Sequence, residues 1–499
     1  MANNTESANA PVPAPPASPT ENPEPGSNTE DVTGVNQSDI PESEFNRAAV
    51  EGLGNRVRVT DTDTASGLEL FCYTKCGPED GDLLRQCRGV VFSGDEIVMR
   101  AFPYTIEYSH TDTEPIKASI PSFEGCSFYE AHEGALIRVF NFDGRWYIST
   151  HRKLNAFRSK WASKESFGTT FKRALEEEVR TNDKFSKLLP QEGESLLDRF
   201  YGILDPAKQY MFLVRHTEEN RIVCSPPAEP TVFHVGTFVE GELVMNEDIS
   251  IPYPKKLEIA NVDELTRYVE QIDIRHLQGV IAFVPGNVQY KILHKEYQEL
   301  FRARGNEPSI KYRYLQIRMS CHMVDMLYHL YPSMASVFDE YENTIYAIAK
   351  LIYRSYVQRH IKGKWSTLPN EEYRVDKECH TWHEEDRKAN RVTVEKIIEI
   401  LNNQSATNLN KMIRRFHADN EKQQETQTTN QTRARSNTMT SLSPAMNAQP
   451  VASPLLLSKN RTRNPTLPPS PDLGGVTGDL LPGPATNVMV APQSEGFAL

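Results

Sequence analysis

Apolar and polar positions alternate along short runs in the first two thirds of the chain. Leu68 to Tyr73, Gly89 to Phe92, Ile137 to Phe140 and Trp146 to Thr150 are rich in β-branched and aromatic residues, and turn signals such as Ser93-Gly94 and Asp143-Gly144 punctuate them. Runs of this kind joined by short glycine-containing turns predict antiparallel hairpins, so residues 67–310 are expected to be sheet-rich. A charge-rich interruption at 165–200, with Phe171, Leu175 and Val179 at helical spacing, predicts helix inside that region. Beyond Pro308 the period changes. Met323, Leu327 and Leu330, then Ile345, Ile348, Leu351, Ile352 and Tyr356, recur at helical intervals. Thr393 to Leu401 forms another apolar-faced segment with Thr393 placed to cap it, and Asn408 to Phe416 a shorter one. The pattern predicts an α+β fold, with an antiparallel-sheet domain over 46–308 and an all-helical domain over 309–420.

The two ends fit neither pattern. Residues 1–45 hold no Lys or Arg, eight acidic residues and eight prolines, and residues 421–499 are rich in Gln, Asn, Thr, Ser and Pro with six Lys/Arg against five Asp/Glu. Such segments cannot bury enough apolar surface to offset the entropy of ordering, so both read as disordered tails able to recruit protein partners. Of the formal net charge of −12, the first tail carries −8 and the second +1, which leaves −5 for residues 46–420. The acidic balance of the whole chain therefore does not exclude a nucleic-acid partner. No apolar run approaches the roughly 20 residues of a membrane span, and the N-terminus lacks a signal-peptide pattern, so neither a membrane partner nor secretion is expected. The seven cysteines, at positions 72, 76, 87, 126, 224, 321 and 379, are odd in number and scattered, which fits a reducing intracellular location, cytoplasmic or virion-associated. Cys72, Cys76 and Cys87 lack a paired Cys-x-x-Cys or a matching His pair, and His380 with His383 lacks a third ligand, so no metal site is expected from either group.

Residues 311–420 hold 17 Lys/Arg against 14 Asp/Glu, and the excess concentrates beside aromatics between Tyr353 and Lys364. Arg354, Arg359, Lys362 and Lys364 are candidates for RNA phosphate contacts, the alternative being an ordinary solvated helix face.

Several motifs then follow one another in a set order. Arg88-Gly89-Val90-Val91-Phe92 precedes Arg100-Ala-Phe-Pro-Tyr-Thr-Ile-Glu-Tyr108. Next come Glu130-Ala131-His132-Glu133-Gly134 and Trp146-Tyr-Ile-Ser-Thr150-His151-Arg152, then Tyr210 to Val223, Gln278-Gly279-Val280, and Tyr290-Lys291-Ile292-Leu293 with Tyr297. In this order the motifs resemble the ATP-dependent RNA ligases of the T-even bacteriophage, tRNA-repairing type, a family also found among large DNA viruses. The resemblance covers about 67 to 297 and implies a nucleotidyltransferase fold followed by helices. It also implies ATP and Mg²⁺ as cofactors, and RNA, including tRNA-like RNA, as partner. In that family a lysine attacks the α-phosphate, two glutamates hold ribose and metal, and a terminal lysine pair neutralises the departing phosphates.

Measured against this frame, Ala131 stands where the nucleophile belongs, and a methyl group cannot form a lysyl-nucleotide. Glu133 stands for the motif aspartate, Gln278 for a glutamate, Leu293 for the second lysine of the final pair, and the ungapped register puts Val214 at the remaining glutamate. Arg88, Glu133, Gly134, Arg152, Gln278 and Lys291 are the expected nucleotide- or phosphate-binding residues. Lys153 is the candidate for a relocated nucleophile, and an extended 129–132 segment would point His132 away from Ala131. Three readings follow: a catalytically degenerate RNA-ligase-like protein that binds nucleotide or RNA, an active RNA ligase using Lys153, and a virion or scaffold protein with a vestigial cleft.

Overall fold

The structure, a computed structural model, describes residues 45–439 apart from 101, 218–221, 246 and 287, with side chains as far as 426. The expected acidic tail over 1–45 lies outside these residues save Phe45, as does the second tail beyond 439. Within the expected second tail, the last helix, Ala406–Met439, continues past 421 to the end of the described chain.

In chain order the strands are β1 Val57–Asp63, β2 Leu68–Tyr73, β3 Arg88–Ser93, β4 Glu96–Met99, β5 Ile106–Ser109, β6 Ser127–Ala131, β7 Ala135–Phe142, β8 Arg145–Ser149, β9 Lys208–Arg215, β10 Thr231–Val239, β11 Glu242–Val244, β12 Lys256–Leu257, β13 Gly279–Val284 and β14 Val288–Leu293. They form three sheets, ordered β1-β2-β3-β4, β11-β10-β9-β7-β8 and β12-β6-β13-β14-β5. Pairing is antiparallel except between β14 and β5. Each run read from the pattern is a strand. The Asp143-Gly144 turn between β7 and β8 takes positive φ at both residues (51° and 74°), the geometry that matches the twist of a tight hairpin.

Period-two alternation separates the burial of each strand. On β9, Met211 and Leu213 face a core shared with Tyr129, Ala131, Ile281 and Phe283 of the third sheet. Tyr210, Phe212 and Val214 face the opposite way, onto Phe171, Ala174 and Leu175 of the helix Phe167–Thr181. That helix fills the predicted helical interruption, and Ser166 caps it by accepting from the Thr169 amide. A third core lies behind the third sheet, where Val280, Ala282 and Ile292 meet Leu265 and Val269 of the helix Val262–Glu270.

The C-terminal third is helical, with Cys321–Leu330, Ala335–Tyr356, Asn370–Glu385 and Val394–Asn402 as its main early elements. Thr393 caps the last of these by accepting from the Lys396 amide at 3.3 Å. Its core is not closed off at 308. Leu293 at the end of β14, Tyr297 and Leu300 of the helix Lys295–Arg304, and Ile222, Val223 and Cys224 from the loop after β9 all join Leu327, Phe338, Ile345 and Ile352. The Tyr331 hydroxyl donates to the Ile222 carbonyl at 3.1 Å across the same seam. Cys72, Cys76 and Cys87 sit in the apolar core of the first sheet, where burial pushes the thiols of Cys76 and Cys87 up to about 12, so they pack as small hydrophobes. No helix among the described residues is long and apolar enough to cross a membrane.

Candidate functional site

Strand register brings the scattered motifs into two adjacent rows on one face of the third sheet. Ala131 lies opposite Gly279, and Gly279 opposite Leu293, so the two residues that the resemblance aligns with the nucleophile and the second lysine share one row, two strands or about 10 Å apart. The next row reads Tyr129, Ile281, Lys291 and Glu107. Gly279 permits this packing, because a Cβ there would stand 2.0 Å from the Ile292 carbonyl oxygen.

The row is closed to solvent. Ala131 is 0% exposed among Tyr129, Leu136, Met211, Leu213, Val235, Ile281 and Phe283. Leu293 is covered from the other side by Tyr297, Leu300 and the Ile222–Cys224 segment. Two cavities remain beside the motif loop. One, about 30 Å³, is lined by Glu133, Gly134, Val214, Arg215 and the 222–227 segment, and the other, about 10 Å³, by Tyr129, His132, Leu213, Ile281 and Phe283. Pockets that hold nucleotide-sized ligands run from about 300 Å³ upward.

Three of the expected binding residues, Gln278, Glu133 and Gly134, hold the loop. Gln278 is 2% exposed; its backbone amide donates to the Ala131 carbonyl at 2.9 Å and its side-chain amide to the His132 carbonyl at 2.7 Å. A glutamate would turn a second oxygen toward that carbonyl, so the amide is what the position needs. Glu133 accepts at one oxygen from the Val223 amide (2.9 Å) and the Tyr297 hydroxyl (2.8 Å). Burial pushes its carboxyl upward against the pull of those bonds, and the Tyr297 hydroxyl is pushed up as well by burial and by Glu133. Gly134 lies against β9, where a Cβ would meet the Val214 carbonyl at 2.7 Å. Removing the tie between loop and helix with Tyr297→Phe is expected to cost about 1–2 kcal/mol, read as a lower urea midpoint at unchanged slope. An unchanged midpoint would show that the bond carries no stability.

Lys291 is 2% exposed and its ammonium pairs with Glu107 at 3.0 Å. Arg88 is buried, donating to the Pro103 carbonyl at 3.4 Å. Arg88 and Arg152 lie near His151, whose imidazole is held well below its usual range by burial and by the charges of Arg88, Arg152 and Arg138. Arg88, Arg152 and Lys291 thus do not form one open phosphate cradle, since Lys291 is committed to a carboxylate and Arg88 is enclosed. Lys153 is held at β1, its ammonium 3.2 Å from Asp61 and 3.4 Å from the Thr60 carbonyl, and Asp61 also accepts from the Leu154 amide.

β6 stops at Ala131, and the His132 imidazole beyond it stacks on Phe233 at 4.8 Å and lies 3.9 Å from the Glu130 carboxylate. One expectation about facing needs correction. Val214 faces the helix side of its sheet, and the positions on the Ala131 side are Leu213 and Arg215, neither of them a carboxylate.

Arg138 was concealed in the apolar run Ile137 to Phe140. It is 0% exposed and donates to the Ser149 hydroxyl at 3.2 Å, to the Thr150 carbonyl at 2.6 Å and to the Gly89 carbonyl. Burial, aided by Arg88, brings its guanidinium down to about 9. The sequence signal was a charged residue inside a strand whose neighbours are all buried.

The residues do not fit ATP with Mg²⁺ in a reactive pose. The two cavities beside the motif loop are too small, Gln278 and apolar groups stand where the resemblance calls for carboxylates, and no group of three or more His, Cys, Asp or Glu side chains among the described residues could hold a metal ion.

The chain matches no protein-family model. It is 29% identical over 359 residues to an immediate-early protein ICP-46 homolog of Invertebrate iridescent virus 3, covering 68% of this chain and 75% of that protein. A counterpart from Invertebrate iridescent virus 6 is 29% identical over 355 residues, covering 66% and 75%. A more distant relative, from Autographa californica nuclear polyhedrosis virus, is assigned as a bifunctional polynucleotide kinase/RNA ligase; it is 22% identical over 276 residues, covering 52% of this chain and 37% of that protein. Among solved structures, an archaeal ATP-dependent RNA ligase aligns with a TM-score of 0.34 at 12% identity, covering 58% of this chain and 70% of that one.

Proposed function

We propose that this chain is an RNA-ligase-like protein that has lost lysine adenylation and acts by binding RNA. The observation that carries the proposal is Ala131: the nucleophile position is a fully buried methyl in an apolar core, in one row with a buried Leu293. Gln278 adds to it, because its amide fastens the motif loop where a carboxylate is expected. The distant relative assigned as a kinase/RNA ligase supports the RNA-ligase lineage. Lys153, bound to Asp61, is a poor replacement nucleophile, since a nucleophilic lysine needs a free amine aimed at the phosphate. With the row around Ala131 closed, RNA contact passes to the cations of the helical part, Arg354, Arg359, Lys362 and Lys364.

The test incubates the purified full chain with α-labelled ATP or GTP and Mg²⁺ and resolves it on a denaturing gel. No labelled band is expected at the protein's mass, and RNA with 5′-phosphate and 3′-hydroxyl ends is expected to stay unjoined. A band that disappears in Lys153→Ala would overturn the proposal in favour of a relocated nucleophile.

A further inference from the structure

The 28 residues between Glu342 and Glu371 contain no acidic side chain and five cations, Lys350, Arg354, Arg359, Lys362 and Lys364. That stretch exposes Tyr346, Leu351, Ile361 and Trp365, and Tyr373 stands exposed just beyond it; together they are half of the large apolar side chains that stand exposed among the described residues. Trp365 is 91% exposed. An indole is the largest apolar group a chain can bury, so one left in solvent beside lysines calls for a partner with both a flat face and negative charge.

The arrangement is ordered. Tyr346, Lys350 and Arg354 recur at intervals of four on the helix Ala335–Tyr356 and so form one stripe, with the Lys350 ammonium 4.2 Å over the Tyr346 ring. The loop after this helix is drawn back onto it. The Ser355 and Ser366 hydroxyls bond at 2.8 Å, and the Lys364 amide donates to the Gln358 carbonyl at 2.8 Å, which fixes the backbone on both sides of Trp365. Arg359 lies 4.6 Å over the Tyr373 ring. Beside the stripe opens a cavity of about 470 Å³, with Leu351, Leu368, Pro369 and Phe416 as its apolar walls, Arg354 and Asp419 at its lining, and Glu372 there paired with Arg415. That volume falls within the range of pockets that hold small ligands.

We propose that this face binds single-stranded nucleic acid, with an unpaired base stacked on Trp365, phosphates on Lys362, Lys364 and Arg354, and a neighbouring base in the cavity beside Leu351. The inference rests on the RNA-binding reading above and specifies the form of the partner. A duplex hides its base faces and offers the indole only backbone, whereas an unpaired strand offers both the stacking surface and the charge.

The test measures fluorescence anisotropy of labelled oligouridylate, oligothymidylate and an RNA duplex against the full chain over a salt series, alongside tryptophan emission. Single strands are expected to bind more tightly than duplex and to quench emission, and the RNA and DNA arms report whether the 2′-hydroxyl contributes. Trp365→Ala should weaken single-strand binding about 5- to 100-fold, the range for one lost stacked base, with the salt slope unchanged. Trp365→Phe should restore most of it. The double variant Lys362→Ala/Lys364→Ala should instead reduce the salt slope by about 1.4. Because Trp365 is exposed, its variants should melt with the parent. Equal binding by Trp365→Ala, a preference for duplex, or quenching by anionic lipid vesicles without any by oligonucleotide would overturn the stacking proposal. If RNA binds but ignores Trp365, the broader RNA reading stands and this one falls; if no variant or parent binds RNA at low salt, both fall.

Discussion

A lysine introduced by Ala131→Lys is expected to destabilise the protein by roughly 3–5 kcal/mol rather than confer adenylation. The position is 0% exposed and its surroundings are aromatic and aliphatic, so an ammonium there would lose its hydration without gaining a carboxylate. The expected readout is a Tm lower by on the order of 5–10 °C. The sign of its pH dependence distinguishes charge from bulk. A buried lysine has a folded pKa below its unfolded value near 10.4, so the unfolded state binds more protons and the penalty should shrink as pH rises toward 10. Ala131→Met, of similar length but uncharged, should cost about 1–3 kcal/mol with no such pH dependence. If Ala131→Lys melts with the parent and takes up label from ATP, the cleft is open and the account of its closure is wrong.

Acidification from pH 7 to pH 4 should cost a large share of the stability. Burial and the charge of Arg215 bring the His132 imidazole down to about 4, and burial brings His234 to about 4. His151 is displaced in the same direction by burial and three arginines. The geometry explains the cost. His234 is 0% exposed, its Nε2 lies within 3.1 Å of the Gly236 carbonyl and 2.9 Å of the Thr237 hydroxyl, and its Nδ1 is buried with no hydrogen-bond partner. A proton added at Nδ1 would be a buried, unpaired donor. A histidine whose folded pKa is depressed contributes stability in full above its unfolded value near 6.5 and loses it as pH falls toward the folded value. His132 and His234 should each account for roughly 2–3 kcal/mol of loss at pH 4, against a total of about 5–15 kcal/mol for a typical fold. Glu133, Glu178 and Glu372 work in the opposite sense, because burial raises their carboxyls and protonation relieves them, while His294 and His380, also lowered first by burial, add to the loss. Thermal melts across this range should show the decline, and His132→Phe, which keeps the stack on Phe233, should flatten it. A pH-independent Tm would contradict the burial assigned to these rings.

The sequence made visible whatever depends on near neighbours. Alternation found the hairpins at Leu68–Tyr73 and Ala135–Phe142, Asp143-Gly144 named its own turn, and Thr393 announced the helix it caps. Motif order was enough to expect Ala131, Gln278 and Leu293 on one chemical surface, and register puts Ala131 and Leu293 in one row. What stayed hidden depends on distant partners. Lys153 meets Asp61 across 92 residues, and Lys291 meets Glu107 across 184. The side of β9 that meets Ala131 is set by a single residue of register, which an ungapped alignment cannot guarantee. A composition-based boundary at 308 could not anticipate that Leu293 and Tyr297 would enter the helical core, because apolar residues at a strand end look the same whichever layer covers them.

The shared row of Ala131, Gly279 and Leu293 also limits which substitutions this face can accept. A lysine at either end would enter a closed apolar layer, the carbonyl of Ile292 forbids a side chain in the middle, and the Gln278 amide would have to release the loop before a carboxylate could replace it. A lysine at either end of the row, or a carboxylate at 278, is therefore expected to cost stability before it could contribute to any chemistry.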